Sequence, residues 1–238
     1  IIHYEAAIAA RPGYVEALND LGNIYGEQGR LDKADSLYRE ALRINPAYAE
    51  AHCNLANVLH DRGNLEGAVS HYKQALACKP SLVEAHICLA NTLYGQGLTE
   101  DARSRYDSAL SLDPHHPGAR LGRCIARIPV MYRDRDEISR SREQYGAELR
   151  KLSRTLALAS PAEIEKASRA VGGIQPYFLP YQEENDRELQ SLYGDLVCRI
   201  QGARYPAFAE RPPMPSSVPG EPLRVGIVSG FFCYHSNW

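Results

Sequence analysis

The sequence has almost no net charge, no paired cysteine motif and no long apolar run. Its 27 lysines and arginines against 29 aspartates and glutamates leave a net charge of −2. A general nucleic-acid binder carries a basic excess, so we expect no nucleic-acid partner. The six cysteines form neither a CxxC pair nor a zinc-like cluster, which predicts no metal site, no disulfide framework and a reduced, cytoplasmic setting. Without a bilayer-length apolar run or a signal peptide, we predict no membrane association.

What the chain does contain is a repeat of 34 residues. Prolines recur at this interval at Pro12, Pro46, Pro80 and Pro114. The same residue types return in phase between them, and in the first complete unit they are Leu18, Leu21, Gly22, Tyr25, Ala34, Tyr38, Ala41 and Pro46. This is the tetratricopeptide pattern, in which pairs of helices stack into a superhelix. Leu18 stands where tryptophan is usual, and Tyr38 stands where phenylalanine is usual.

The repeat stops after Pro114, and the composition changes twice more. We predict tetratricopeptide repeats over 1–116, made of a partial unit 1–12 and full units 13–46, 47–80 and 81–114. A capping helix and helical spacer follow over 117–205, then a proline-rich, extended linker over 206–222. Residues 223–238 are interpreted as the start of a Rossmann-like α/β lobe, with a buried strand over 223–229. The predicted fold is therefore mostly α, and we expect the chain to be an internal fragment of a longer protein.

Local signals predict where the helices begin and end. Gly29, Gly63 and Gly97 are expected to end the first helix of each pair. In the spacer we predict helices over 117–128, 133–157 and 185–201. A capping box with proline at the first helical position is predicted to start another helix at Ser160. The charged run 133–143 is interpreted as a solvated helix face.

A row of asparagines is the strongest functional signal in the repeats. Asn23, Asn57 and Asn91 occupy the same position in three consecutive units, and Asn54 lies on the same helix face as Asn57. In such repeats this position faces the inner, concave wall, where a carboxamide can bond to an extended peptide backbone. We therefore predict that these four residues bind peptide. The alternative is that they cap turns or face water.

Histidines recur as well, but with different interpretations. His52 and His86 take the place of Leu18 in their units, which is a packing position, so we interpret them as structural. His235 follows the predicted strand, where general acid–base residues occur in α/β folds. Position alone is weak evidence for a catalytic role.

The order of segments adds a resemblance. Repeats lead into a spacer with PYQEENDREL at 180–189, and a proline-rich linker leads to LRVGIVSGFFCYHS at 223–236. This resembles the bacterial relatives of the O-linked N-acetylglucosamine transferases, the SPINDLY-like group. The resemblance implies two Rossmann-like lobes that hold a sugar nucleotide, usually UDP-N-acetylglucosamine (UDP-GlcNAc). The sugar would pass to a Ser or Thr hydroxyl of a protein threaded along the repeats, with His235 as the catalytic base or positioning group.

The same resemblance leaves alternatives open. Phe231 and Cys233-Tyr234 depart from the family pattern, so a fucosyl or other hexosyl donor is an alternative to N-acetylglucosamine. The uridine diphosphate site would lie in a second lobe outside this sequence, so we expect no turnover by this fragment alone. The rival function is a non-enzymatic repeat scaffold for protein–protein interaction. A third is a two-lobed glycosyltransferase that modifies bacterial surface proteins. The oligomeric state is not readable from the sequence.

Overall fold

The computed structural model describes residues 1–176 and 178–209. Throughout this part of the chain the regular structure is helical. The first seven helices build the repeats, and they are α1 (Ile2–Ala10), α2 (Val15–Glu27), α3 (Leu31–Ile44), α4 (Ala49–Asp61), α5 (Leu65–Cys78), α6 (Val83–Gly95) and α7 (Thr99–Leu112). Helices α2/α3, α4/α5 and α6/α7 pair as antiparallel hairpins, and each pair packs on the next. The predicted tetratricopeptide superhelix is confirmed.

The spacer adds a second group of helices. They are α8 (Pro117–Ile125), α9 (Arg135–Thr155), α10 (Pro161–Gly173), a 3-10 helix (Leu179–Gln182), α11 (Arg187–Arg204) and the short α12 (Pro206–Ala209). The extended linker predicted from residue 206 is wrong for its first four residues, because proline is accepted at the start of a helix. The rest of the linker, the predicted strand 223–229 and His235 lie outside the described residues.

Glycines end the first helix of each pair, as predicted. Gly29, Gly63 and Gly97 have φ angles of 71°, 78° and 80°, a left-handed conformation that costs glycine least. The predicted capping box at Ser160 is also confirmed: Ser160 Oγ accepts from the amide of Glu163, and the Glu163 carboxylate accepts from the amide of Ser160.

Small residues let the two helices of each pair approach closely. Ala34, Ala68 and Ala102 have no exposed surface. A Cβ built on Gly22 would lie 2.5 Å from Cε1 of Tyr38, so the tyrosine ring packs directly on the backbone of α2. The resulting core runs without a break from the repeats into the spacer, where it includes Ile200 of α11. The spacer is therefore packed onto the repeats.

The predicted solvated face agrees with the exposure of most of the charged run 133–143 but is wrong at Arg142. Arg142 is not solvated, since only 14% of its side chain is exposed. Its Nη1 donates to Gln182 Oε1 at 2.7 Å and to Asp186 Oδ1 at 2.6 Å, and its Nη2 donates to the carbonyl of Asn185 at 2.7 Å. The guanidinium joins α9 to the start of α11. Its charge is needed because the segment 182–186 presents several acceptors to one donor group.

Candidate functional site

The asparagine row is held in place by tyrosines. In each full repeat a tyrosine of the second helix donates its hydroxyl hydrogen to the asparagine of the first helix. The three bonds are Tyr38 Oη to Asn23 Oδ1 at 2.8 Å, Tyr72 Oη to Asn57 Oδ1 at 2.6 Å and Tyr106 Oη to Asn91 Oδ1 at 2.6 Å. Each tyrosine fixes the carbonyl oxygen of its carboxamide, which leaves both N–H groups of the amide nitrogen as donors that the asparagine can present.

Burial makes these tyrosines fixed, neutral donors. Tyr72 is 2% exposed and Tyr106 is 0% exposed, and burial is the main reason that the pKa of each phenol lies well above its ordinary value. The asparagines themselves are half-buried. Within residues 1–176 and 178–209, the Nδ2 groups of Asn23, Asn57 and Asn91 donate no hydrogen bond. Three oriented donors therefore repeat along the first helices.

Two of these asparagines open into one groove of about 600 Å³. Asn57 and Asn91 lie on α4 and α6, the first helices of two adjacent repeats. Tyr72, which falls between them in sequence, also lines the groove. The end of α10 contributes a further part of the lining, from Gly173 to Gln175. The structure thus brings two repeats and the spacer together around a single concave space.

The other two predicted residues are placed differently. Asn23 keeps the tyrosine bond of its repeat but does not line this groove. Asn54 donates through Nδ2 to Oδ1 of Asn19 at 2.8 Å, a contact that joins α4 to α2. One of its two N–H groups is thus engaged within the stack, and the second N–H and the oxygen remain for a ligand. Peptide binding by all four asparagines stays a prediction.

Among the described lining residues of the groove, Cys88 carries the one thiol. Cys88 is half-buried beside Tyr72, and burial raises its pKa to about 11. Because the thiolate is the reactive form, the protonated thiol at neutral pH serves for packing. His60 and Asp61 also line the groove; both are exposed, and Nδ1 of His60 lies 3.6 Å from Oδ1 of Asp61. The groove combines apolar surface with the carboxamides of Asn57 and Asn91.

The recurring histidines lie in the packing between helices. His52 and His86 are each 8% exposed. Their Nε2 atoms lie 3.0 Å from the carbonyl oxygens of Pro46 and Pro80, so in each case Nε2–H donates to the turn before the helix. The Nδ1 of His52 also lies 3.0 Å from Nδ1 of His71 on α5. These contacts agree with the structural interpretation.

The described residues contain neither a candidate metal cluster nor a helix that could span a membrane. No group of three or more His, Cys, Asp or Glu side chains in that part of the chain could hold a metal ion. None of the described helices is both long enough and apolar enough to cross a membrane. The predicted catalytic residue, His235, is outside the described range, so its catalytic role stays a prediction.

The tyrosine partners were missed by the sequence reasoning, although a signal was present. Tyr38, Tyr72 and Tyr106 stand where phenylalanine is usual, and each lies 15 residues after an asparagine of the row. A tyrosine at the phenylalanine position and an asparagine that recur together at a constant separation indicate that the two side chains interact. Each was considered alone, so the pairing was not predicted.

The class of protein follows from this geometry and from the family comparison: residues 3–97 form tetratricopeptide repeats. Residues 3–35 match the family profile described as "Tetratricopeptide repeat", and residues 22–61 and 56–97 match the one described as "TPR repeat". No curated protein matches the chain in sequence.

Solved structures of similar fold include both short repeat proteins and part of an enzyme. Two structures of MamA align with TM-scores of 0.51 and 0.53, at 21% and 20% identity; they cover 63% and 66% of this chain and 87% and 85% of MamA. A mutant O-GlcNAc transferase of Thermobaculum terrenum aligns with a TM-score of 0.52 at 21% identity. That alignment covers 59% of this chain and 26% of the transferase. These likenesses establish the superhelical fold.

Proposed function

We propose that the repeats bind an extended segment of another protein in the concave groove, as the acceptor-recognition part of a protein O-glycosyltransferase. The observation that carries the binding proposal is the pair of unengaged Nδ2 donors of Asn57 and Asn91 in one groove. A peptide in extended conformation presents backbone carbonyls at regular spacing, and carboxamide donors on successive helices can engage them without reading side chains.

The energy of such contacts calls for several of them in register. One neutral hydrogen bond contributes about 0.5–1.5 kcal/mol net, too little for useful affinity alone. Because the tyrosines hold the carboxamides in place before binding, less conformational entropy is lost when the peptide arrives. The buried tyrosine–asparagine bonds therefore support recognition as well as stability.

The enzymatic part of the proposal rests on the segment order and on His235. In the intact protein, a UDP-sugar, UDP-GlcNAc in the first instance, would donate the sugar to a Ser or Thr hydroxyl of the bound segment. The hydroxyl oxygen forms the bond to the anomeric carbon, the bond to UDP breaks, and His235 accepts or positions the hydroxyl proton. The likeness of the repeats to part of an O-GlcNAc transferase supports this reading of the fold. We place the reaction in the cytoplasm, where the free cysteines would stay reduced.

Peptide binding is tested with an array of unstructured peptides that contain Ser and Thr, and the best binder is then titrated in solution. Replacing both Asn57 and Asn91 with alanine removes two donors, so we expect affinity to fall about 5- to 150-fold. Gln190→Ala is the matched control, because this exposed carboxamide on α11 lies away from the groove. Equal affinities for the double variant and the control would refute the role of the asparagines.

The transferase proposal needs a separate readout. With the intact protein, UDP-GlcNAc and the selected peptide, His235→Ala should abolish sugar transfer while peptide affinity stays unchanged. If the intact protein binds the peptide but transfers no sugar from any UDP- or GDP-sugar donor, the chain is a repeat scaffold for protein–protein interaction.

A further inference from the structure

The groove has a wall that the repeats do not supply. After α10 the chain crosses onto α6, where the hydroxyl of Tyr94 donates to the carbonyl of Gln175 at 3.4 Å. The Tyr94 ring also packs against Phe178, with 5.3 Å between ring centroids. On the other side, the hydroxyl of Tyr193 on α11 donates to the carbonyl of Ile174 at 3.4 Å. Long bonds of this kind are individually weak, but Ile174 is only 7% exposed, so packing keeps the segment in place.

Two glycines lie in the lining of the groove, one on each wall. Gly95 ends α6 and Gly173 ends α10, and both line the groove. A Cβ added at either position would meet no atom within 4 Å. The missing side chains therefore leave open space between the repeat wall and the spacer wall, where a backbone can pass.

Both walls contain hydrogen-bonding groups. The repeat wall presents the Nδ2 donors of Asn57 and Asn91. The spacer wall contains the carboxyl end of α10, whose last carbonyls have no partner inside the helix. The residue after this helix, Ile174, donates no backbone hydrogen bond to the last turn within the described chain. The Nδ2 donors of the repeat wall match the backbone C=O groups that an extended segment presents.

We infer that residues 173–175 of the spacer form the end wall of the peptide groove, and that a bound segment passes between this wall and α6. This inference rests on the proposed function and adds to it that recognition needs the spacer as well as the repeats. The occupant is an extended protein segment, because its backbone C=O groups match the Nδ2 donors of Asn57 and Asn91 in the groove.

Adjacent glycines on α10 provide the test. Gly173→Leu fills the gap between the walls. Gly172→Leu is the matched control, because its Cβ also meets nothing within 4 Å but the residue does not line the groove. Leucine favours helix over glycine at both positions, so neither variant should lose stability. In the full chain we expect Gly173→Leu to weaken binding of the array-selected peptide by about tenfold or more, since it excludes backbone contacts at the wall.

A second variant approaches the same gap from the repeat side. Gly95→Leu on α6 should weaken the peptide to a similar degree, which separates filling of the groove from any local effect on α10. If Gly173→Leu and Gly95→Leu bind the peptide as tightly as Gly172→Leu does, the inference is overturned. The proposed function would survive that result provided that the double asparagine variant still loses affinity. Loss of the asparagine effect, by contrast, would overturn the proposed function itself.

Discussion

Removing one hydroxyl from a buried tyrosine should destabilise the protein at Tyr72 and stabilise it at Tyr145. Both rings are almost completely buried, at 2% and 0% exposure. The hydroxyl of Tyr72 donates to Asn57 Oδ1 at 2.6 Å. The hydroxyl of Tyr145, in contrast, has no hydrogen-bond partner among the described residues. The same substitution, tyrosine to phenylalanine, therefore removes a satisfied polar group in one case and an unsatisfied one in the other.

The expected magnitudes follow from this difference. Tyr72→Phe loses a net contribution of about 0.5–1.5 kcal/mol, while the half-buried Asn57 regains access to water. Tyr145→Phe relieves the desolvation of an unpaired hydroxyl, which costs about 1–3 kcal/mol, so we expect a gain of about 1 kcal/mol. A melting temperature should shift by about 2–4 °C per kcal/mol for a chain of this size.

The assay is urea unfolding followed by circular dichroism, in which a changed midpoint at constant slope reports a change in stability. Tyr14→Phe serves as the control, because that ring is 39% exposed and should change stability by less than about 0.5 kcal/mol. Equal losses at Tyr72 and Tyr145 would refute the assignment of hydrogen-bond partners. No loss at Tyr72 would show that the tyrosine–asparagine bond does not hold the carboxamide, which would also weaken the peptide-binding proposal.

Two further perturbations should also give results of defined sign. Gly22→Ala would place a Cβ 2.5 Å from Cε1 of Tyr38 and should cost about 1–3 kcal/mol by overpacking. Gly26→Ala on the same helix meets only the Tyr38 hydroxyl at 3.9 Å and should gain about 0.5 kcal/mol from helix propensity. For the histidine pair, burial and then the proximity of His52 lower the pKa of His71. The unfolded chain then binds the proton more readily than the folded chain, so stability should fall as the pH decreases through about 6.5.

The two glycine variants and the histidine pair are checked by the same urea unfolding assay. Similar changes in midpoint for the two alanine variants would contradict the close approach of Tyr38 to α2. For the pH effect, the wild type is compared with His71→Gln at about pH 7.5 and about pH 5.5, on either side of the ordinary histidine pKa. The variant should lose less stability on acidification, whereas His115→Gln at an exposed position should behave as the wild type does. An unchanged pH dependence in His71→Gln would exclude this residue as its source.

Helix positions in the repeats were predictable because their causes are local. A proline every 34 residues, a glycine at each inner turn and small residues at fixed positions act within one hairpin, and each copy repeats the signal. The capping box at Ser160 is local in the same way. The burial of Arg142 was not predictable, since its acceptors belong to residues 182–186, some 40 positions along the chain. A charged run on a helix shows no sign of a distant partner.

The candidate site, too, was predictable from the sequence in part. The asparagine row could be found by its period, and its members Asn57 and Asn91 do share a groove. That Asn54 is engaged with Asn19 instead depends on how α4 crosses α2, which helix periodicity leaves undetermined. The spacer wall at Gly173 could not be read from a local pattern, because its position depends on long-range contacts such as the hydrogen bond between Tyr94 and Gln175.

The sequence by itself determined the repeat unit, its turns, its small-residue packing and the recurrence of asparagine on the first helices. These properties follow from backbone preferences and side-chain volumes within about one repeat length. Only the tertiary structure decided which donors stay unengaged, that the tyrosines orient them, and that the spacer folds back to face them. The physical reason is that burial and hydrogen-bond pairing depend on which surfaces meet, and the surfaces that meet at this groove lie more than eighty residues apart in the chain.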